Sequence, residues 1–217
     1  MKEFNNLVAT SASYSNAVIS QYTEALQGIH LETKNIAIYQ RDVAELCNEL
    51  DQMAKHPVEC RASGSVEDIL LVLRDQLEHG SGKFPKLYAD VAELLALFKR
   101  ITRASSFRLL LTSVSTNMCR IFHTDINDLR LLCTYSGPGT LWLPTESIDG
   151  SSLNKSKDIK IDKSQIQQVA TGDIAILKGA LYPKSNPVLH RSPAIEESGE
   201  HRFLLRIDTN EFISSFS

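Results

Sequence analysis

Up to about residue 104, apolar side chains return every three or four positions; beyond it they fall into short runs cut by turn residues. In the first regime, Val18, Ile19, Tyr22 and Leu26 predict a helix over 12–27, stopped by Gly28. Residues 35–39 are apolar and partly β-branched, which predicts a strand able to add to the edge of a later sheet. Val43, Leu46, Cys47, Leu50 and Met53 predict a second helix over 42–53, ended by His56-Pro57. A loop is expected over 60–64. Ser65, with Asp68 three residues on, resembles a capping box and opens a helix buried through Val66, Ile69, Leu70, Leu73 and Leu77. His79-Gly80-Ser81-Gly82 breaks it. Pro85 then starts the strongest amphipathic pattern, Leu87, Val91, Leu94, Leu95 and Phe98, whose basic end of Lys99, Arg100 and Arg103 complements the helix dipole.

In the second regime the predicted strands are 107–114, 118–122, 129–135, 141–143, 159–161, 173–177, 188–190 and 202–207. Turns fall at Ser136-Gly137-Pro138-Gly139, Asp149-Gly150, Thr171-Gly172 and Lys184-Ser185-Asn186-Pro187, so the pattern reads as an antiparallel sandwich or barrel. The polar span 149–164 is expected to be a mobile loop over its mouth. The length of 217 residues suits a single domain, 1–217, with 1–104 as mainly helical support and 105–217 as the β core.

Composition narrows the partners more than the fold. Net charge is −3 and no arm or helix concentrates the 23 Lys and Arg residues, so there is no strong nucleic-acid signal. No run reaches the roughly 18 apolar residues of a membrane span. The first ten residues lack the apolar core of a signal peptide, and a cytoplasmic location is expected. Cys47, Cys60, Cys119 and Cys133 show no CxxC spacing, which leaves reduced, mostly buried thiols as the expectation.

The candidate chemistry begins at His123-Thr124-Asp125, an imidazole and a carboxylate two positions apart at the end of a predicted strand, hence on one face. Chance alone supplies about 0.3 such pairs in a chain of this make-up, so context decides. His190 stands on a later predicted strand, and Arg202 and Arg206 share one face of the last. Two imidazoles and one carboxylate leave open positions on an Fe(II) ion. A guanidinium pairs bidentately with a carboxylate, and two unpaired guanidinium groups inside a barrel call for an anionic ligand or an acidic partner.

With these residues in order, residues 107–208 resemble the Fe(II)/2-oxoglutarate-dependent dioxygenases. That resemblance implies an α+β fold: a double-stranded β-helix (jelly-roll or cupin-like) core in the C-terminal half with the N-terminal helices packed on the sheet. More closely, Phe122-His123-x-Asp125, Thr134-Tyr135-x-Gly137-Pro138-Gly139-Thr140-x-Trp142-Leu143, Gly172-Asp173, His190-Arg191-Ser192-Pro193 and Arg202-Phe203-Leu204-Leu205-Arg206-Ile207-Asp208 resemble the bacterial domain-of-unknown-function family 1826. That family brings no established activity. The oxygenase resemblance makes His123, Asp125 and His190 the metal ligands and Arg202 the anchor of 2-oxoglutarate, with Arg206 as substitute and Tyr135 as a further cofactor contact. The arginine follows the distal histidine by twelve or sixteen residues, where many oxygenases place it about ten on, and Leu204 or Asp208 stands where a hydroxyl residue is common.

Several positions carry two readings. Tyr135 adds a hydroxyl to the cosubstrate or packs; Gly137, Pro138 and Gly139 make a tight turn or touch a ligand. Trp142 faces substrate or anchors the core, and Arg191 and Ser192 contact substrate or sit on the surface. Cys119 and Cys133 straddle His123 and supply soft zinc ligands or pack as apolar groups. The leading expectation is an oxygenase using Fe(II) and 2-oxoglutarate on a small-molecule or protein side-chain substrate. Beside it stand a non-catalytic accessory protein of zinc or iron homeostasis and a metal-free ligand-binding β-sandwich. The N-terminal helices offer a surface for a homodimer contact.

Overall fold

The computed structural model describes residues 14–54, 58–78, 83–148, 162–183 and 186–209. The larger of two sheets has the order β1 (Ala17–Ser20), β2 (Ile36–Tyr39), β8 (Ile174–Lys178), β5 (Leu129–Ser136), β10 (Arg202–Thr209), β4 (Phe107–Val114), β3 (Glu59–Gly64). All its pairings are antiparallel except β1 with β2. The smaller has the order β7 (Gln167–Gln168), β6 (Leu141–Trp142), β9 (His190–Arg191). Among the described residues three α-helices pack with them, α1 (Cys47–Met53), α2 (Val66–Glu78) and α3 (Pro85–Thr102). Among the described residues no helix is long and apolar enough to cross a membrane.

The period-two alternation of β10 organises the core. Phe203, Leu205 and Ile207 join Leu131, Cys133 and Tyr135 of β5 in one apolar cluster, which also holds Leu73 of α2 and Leu87, Val91 and Phe98 of α3. Leu204 and Leu132 point the other way, into a second cluster with Trp142, Val169 and Val188 from the smaller sheet. One face of the large sheet is therefore covered by helices and the other by the small sheet. The inner face of β10 is left to Arg202, Leu204, Arg206 and Asp208.

The helix signals at α2 and α3 hold locally. Ser65 Oγ accepts from the Asp68 backbone N–H at 3.1 Å while Asp68 Oδ2 accepts from the Ser65 N–H at 3.0 Å, a reciprocal capping box. Pro85 occupies the first turn of α3, and Arg103, at φ 57, ends it in a left-handed cap whose N–H donates to Lys99 O.

Elsewhere tertiary pairing overrides local period. The helix expected over 12–27 is instead strand β1 and a 3-10 helix, Thr23–His30. Val18 and Ile19 are β-branched and pair in parallel with Ala37 and Ile38, so an available sheet edge outcompetes the helix. Residues 60–64 lie in β3, not a loop; Cys60 is buried and its neighbours exposed, and the ladder to β4 supplies what the weak apolar content does not. The helix expected over 42–53 splits into a 3-10 turn, Ala44–Leu46, and α1. Residues 118–122 form no strand, and Ile121 is 81% exposed. The expected strand over 159–161 and most of the polar span 149–164 lie outside the described residues. Three strands of the large sheet thus come from before residue 104, which the pattern assigned mainly to helices.

Candidate metal centre

His123 and His190 meet across an isolated antiparallel bridge, each backbone N–H donating to the other's carbonyl at 3.0 Å. That pair of bonds, rather than a strand ending at His123, sets the two imidazoles side by side, their ring centroids 4.7 Å apart. Asp125 reaches both: its Oδ1 is 3.6 Å from His123 Nε2 and its Oδ2 is 3.2 Å from His190 Nε2. One ligand atom from each of the three lies within 4.8 Å of the others.

The outward ring nitrogens fix the tautomers. His123 Nδ1 is 3.0 Å from Ile121 O and His190 Nδ1 is 3.3 Å from Val188 O. A carbonyl oxygen only accepts, so each Nδ1 carries hydrogen and each Nε2 is the nitrogen turned toward Asp125, where a metal would take its lone pair. Two ring nitrogens and a carboxylate that converge in this way share a cation, either a proton or a metal ion. Burial raises the Asp125 pKa, but His190 and the Arg130 guanidinium outweigh it and hold the carboxyl below its ordinary value. The donor set, two imidazoles and an ionised carboxylate, fits Fe(II) or Zn(II). His190 is buried while the His123 side chain is 34% exposed, so the centre opens on the His123 side.

Arg130, at the start of β5, completes this end of the site and was not singled out in the sequence. Its Nη1 donates to Asp125 Oδ2, its Nε to Asp208 Oδ1 at 2.6 Å and its Nη2 to Asp208 Oδ2 at 3.2 Å. Asn127 Nδ2 donates to Asp208 Oδ1 at 3.0 Å, and Arg206 Nε lies 3.3 Å from Oδ2. Burial disfavours the charged form of Arg130, yet the two aspartates raise its pKa. The signal that finds Arg130 is strand parity: Arg130, Leu132 and Thr134 alternate with Leu131, Cys133 and Tyr135, which places it on the inner face.

At the other end of β10, Arg202 is 2% exposed and shares the inner face. Its Nη2 donates to Thr134 Oγ1 at 3.1 Å, its Nε has no partner, and no carboxylate pairs with it among the described residues. Burial alone pushes its pKa down to about 10. Gly137, at φ +79, lets the chain pass beside it: a Cβ there would stand 2.1 Å from His201 O and 3.1 Å from Arg202 Cγ. Gly139 makes a second close approach, to Val169 O.

The remaining sequence candidates have other contacts. The structure places Tyr135 on the helix-covered face, its Oη donating to Asp90 Oδ2 at 2.6 Å and its ring 5.8 Å from Phe203. The same Asp90 carboxylate pairs with Arg41, which also donates to Gly172 O, while Asp173 Oδ1 accepts from the Arg41 backbone N–H. This buried network ties α3 to β5 and to the Gly172-Asp173 turn. Cys133 lies in it, 3.6 Å from Arg41 Nη2, its thiol pushed up to about 12 by burial. Trp142, directly opposite His190 in the small sheet, is 1% exposed in the second apolar cluster, where Tyr14 meets it edge-on. Arg191 stacks on Phe122 and donates to Ser192 O, while the Ser192 N–H donates to Cys119 O. Cys119 is exposed, and the ligand cluster found among the described residues contains neither it nor Cys133.

Fold and site together define a mixed α+β protein whose small sheet, through β9 and the bridge from His190 to His123, carries a His-Asp-His cluster that Arg130 ties to the inner side of the large sheet. The chain shares its fold with the dioxygenase for auxin oxidation 1 of Arabidopsis thaliana, solved as a 2-oxoglutarate binary complex. The TM-score is 0.53 at 12% identity, over 89% of this chain and 91% of that one. It belongs to the family described as protein of unknown function (DUF1826), whose family model matches residues 20–208. More distant in fold are a Pseudomonas putida prolyl-4-hydroxylase (TM-score 0.45, 9% identity, 86% of this chain and 97% of that one) and a full-length Neurospora crassa protein solved in complex with α-KG (0.45, 11%, 89% and 83%). No curated protein matches the chain.

Proposed function

We propose that the protein is an Fe(II)- and 2-oxoglutarate-dependent oxygenase of the hydroxylase type, built on a double-stranded β-helix and acting on a small molecule or a protein side chain. The observation that carries this reading is the convergence of His123 Nε2, His190 Nε2 and the Asp125 carboxylate, with both Nδ1 atoms committed to backbone carbonyls. Arg202 supports it, because a buried guanidinium with no carboxylate partner among the described residues is costly unless an anion arrives to meet it.

Each side chain has a stated task. His123, His190 and Asp125 hold the metal, and Asp125 Oδ1 is the carboxylate oxygen that no described donor occupies in a hydrogen bond. When bound, iron with 2-oxoglutarate and dioxygen supplies the oxidising chemistry. Arg202 clamps the distal carboxylate of 2-oxoglutarate, with Thr134 Oγ1 fixing the guanidinium plane. Leu132, Leu204 and Trp142 keep water from the space between the sheets.

Anaerobic titration of Fe(II)-loaded protein with 2-oxoglutarate is expected to give a weak visible charge-transfer band, and aerobic incubation to give succinate. Absence of both from metal-loaded protein overturns the oxygenase reading. Tight zinc retained without succinate formation would favour the accessory-protein alternative instead, and metal content unchanged in His123→Ala would favour a metal-free sandwich. Cys119→Ser and Cys133→Ser are expected to leave metal content as it is.

A further inference from the structure

We propose that Arg108 and Arg206 form a subsite for an anionic group of the primary substrate, a carboxylate or a phosphate ester, at the metal end of β10. The proposal rests on the oxygenase reading and adds the chemical class of its substrate. Register places the groups. Asp208 is opposite Arg130 on β5 and opposite Arg108 on β4, and Arg206 lies two residues before it on the same inner face. Arg130 and Arg206 therefore pair with one carboxylate, Arg108 flanks it from β4 close enough to repel Arg206, and Asp125 is the second acid at hand.

Both acids are already engaged. Asp208 accepts two bonds from Arg130 and one from Asn127, and Asp125 accepts from Arg130 while facing the histidines. What remains is positive charge in excess. Arg108 Nε and Arg206 Nε are buried atoms with no hydrogen-bond partner among the described residues, even though Arg206 Nε stands 3.3 Å from Asp208 Oδ2. An unmet buried donor is costly, the more so on a charged group, and an incoming anion would remove that cost. Arg202 is too far away to share one anion with them. It lies four residues upstream, roughly 13 Å along the strand, with Leu204 between. One end of β10 suits the cosubstrate carboxylate and the other a second anion beside the metal.

The test uses fluorine NMR with 4-fluorobenzoate, 4-fluorophenyl phosphate and the neutral 4-fluorobenzamide. Each is titrated anaerobically into Mn(II)-loaded protein with and without saturating 2-oxoglutarate, and into metal-free protein. At least one anion is expected to bind saturably, more tightly than the amide, and to be broadened by Mn(II) with 2-oxoglutarate present; which one identifies the substrate's group. Arg108→Gln and Arg206→Gln are each expected to weaken that anion roughly tenfold or more, with 2-oxoglutarate affinity retained. Equal binding of amide and anions, or undiminished anion binding in both variants, overturns the subsite. If the glutamine variants fail to fold, Arg108→Lys and Arg206→Lys decide: intermediate anion affinity supports the subsite and wild-type affinity overturns it. Failure of Mn(II) or 2-oxoglutarate to bind counts against the oxygenase reading alone, because anion binding is still read from the metal-free protein.

Discussion

Arg130 donates to the same Asp125 oxygen, Oδ2, that faces His190, so the guanidinium orients the carboxylate toward the two imidazoles. Such a contact sets how well a metal ligand is presented. Arg130→Gln is expected to lower Fe(II) or Zn(II) affinity roughly ten- to hundredfold without unfolding the protein. Competition against a chromophoric chelator reads this directly, and unchanged affinity would count against the orienting role.

Arg202 offers a trade between stability and binding. Arg202→Met removes a buried charge that lacks a carboxylate partner among the described residues, so the ligand-free protein is expected to melt at the same or a higher temperature, gaining up to about 0.5–2 kcal/mol. 2-Oxoglutarate binding should be lost. In the wild type that binding requires the charged form, so affinity is expected to hold below pH 9 and fall above the Arg202 pKa of about 10. Folding responds with the opposite sign. The folded value lies below the ordinary 12.5, so the native state holds fewer protons between the two and the ligand-free protein gains stability across that window. Calorimetry with and without 2-oxoglutarate separates the two effects.

The Arg41, Asp90 and Tyr135 network should behave as structure. Asp90→Ala strands the largely buried Arg41 guanidinium and is expected to cost about 3–5 kcal/mol. Tyr135→Phe removes one bond to a charged acceptor, about 1.5–3 kcal/mol. Denaturant unfolding measures both. Neither should change metal stoichiometry, and Tyr135→Phe should leave the 2-oxoglutarate dissociation constant within twofold, the readout that separates a packed tyrosine from a cosubstrate contact.

Gly137→Ala is expected to act at a distance. Its φ of +79 and the 2.1 Å clash with His201 O force the entry to β10 to move, which carries Arg202 away from Thr134. A loss of about 1–3 kcal/mol in stability should accompany weaker 2-oxoglutarate binding, with metal binding preserved. Parallel thermal shift and titration experiments check the pair of effects.

Legibility in the sequence followed the range of the forces involved. The α2 and α3 helices were readable because their caps and apolar stripes are local, Ser65 with Asp68 and Leu87 through Phe98. His123, Asp125 and His190 were readable as a candidate set from their order in the chain, although the strand expected at 118–122 is not formed and a bridge brings the two histidines together instead. What escaped notice needed partners far away. Val18 and Ile19 become strand only because β2 is beside them, and β3 is a strand because β4 supplies its ladder. Tyr135 crossed to the helix side by parity, since Thr134 next to it faces in. Arg130 and Arg108 drew no attention until Asp208, opposite both, revealed their shared row.

The bridge between His123 and His190 has a further consequence for the stretch between β4 and β5. That stretch, 115–128, holds no strand of its own, and its backbone meets the small sheet through the two bonds of the bridge and the Ser192–Cys119 bond. A metal held by His123, Asp125 and His190 would act as a rivet across sixty-seven positions of chain, turning a surface span into a clamped one. Limited trypsin digestion at Arg120, an exposed residue three before His123, would register the difference as slower cleavage of the loaded protein.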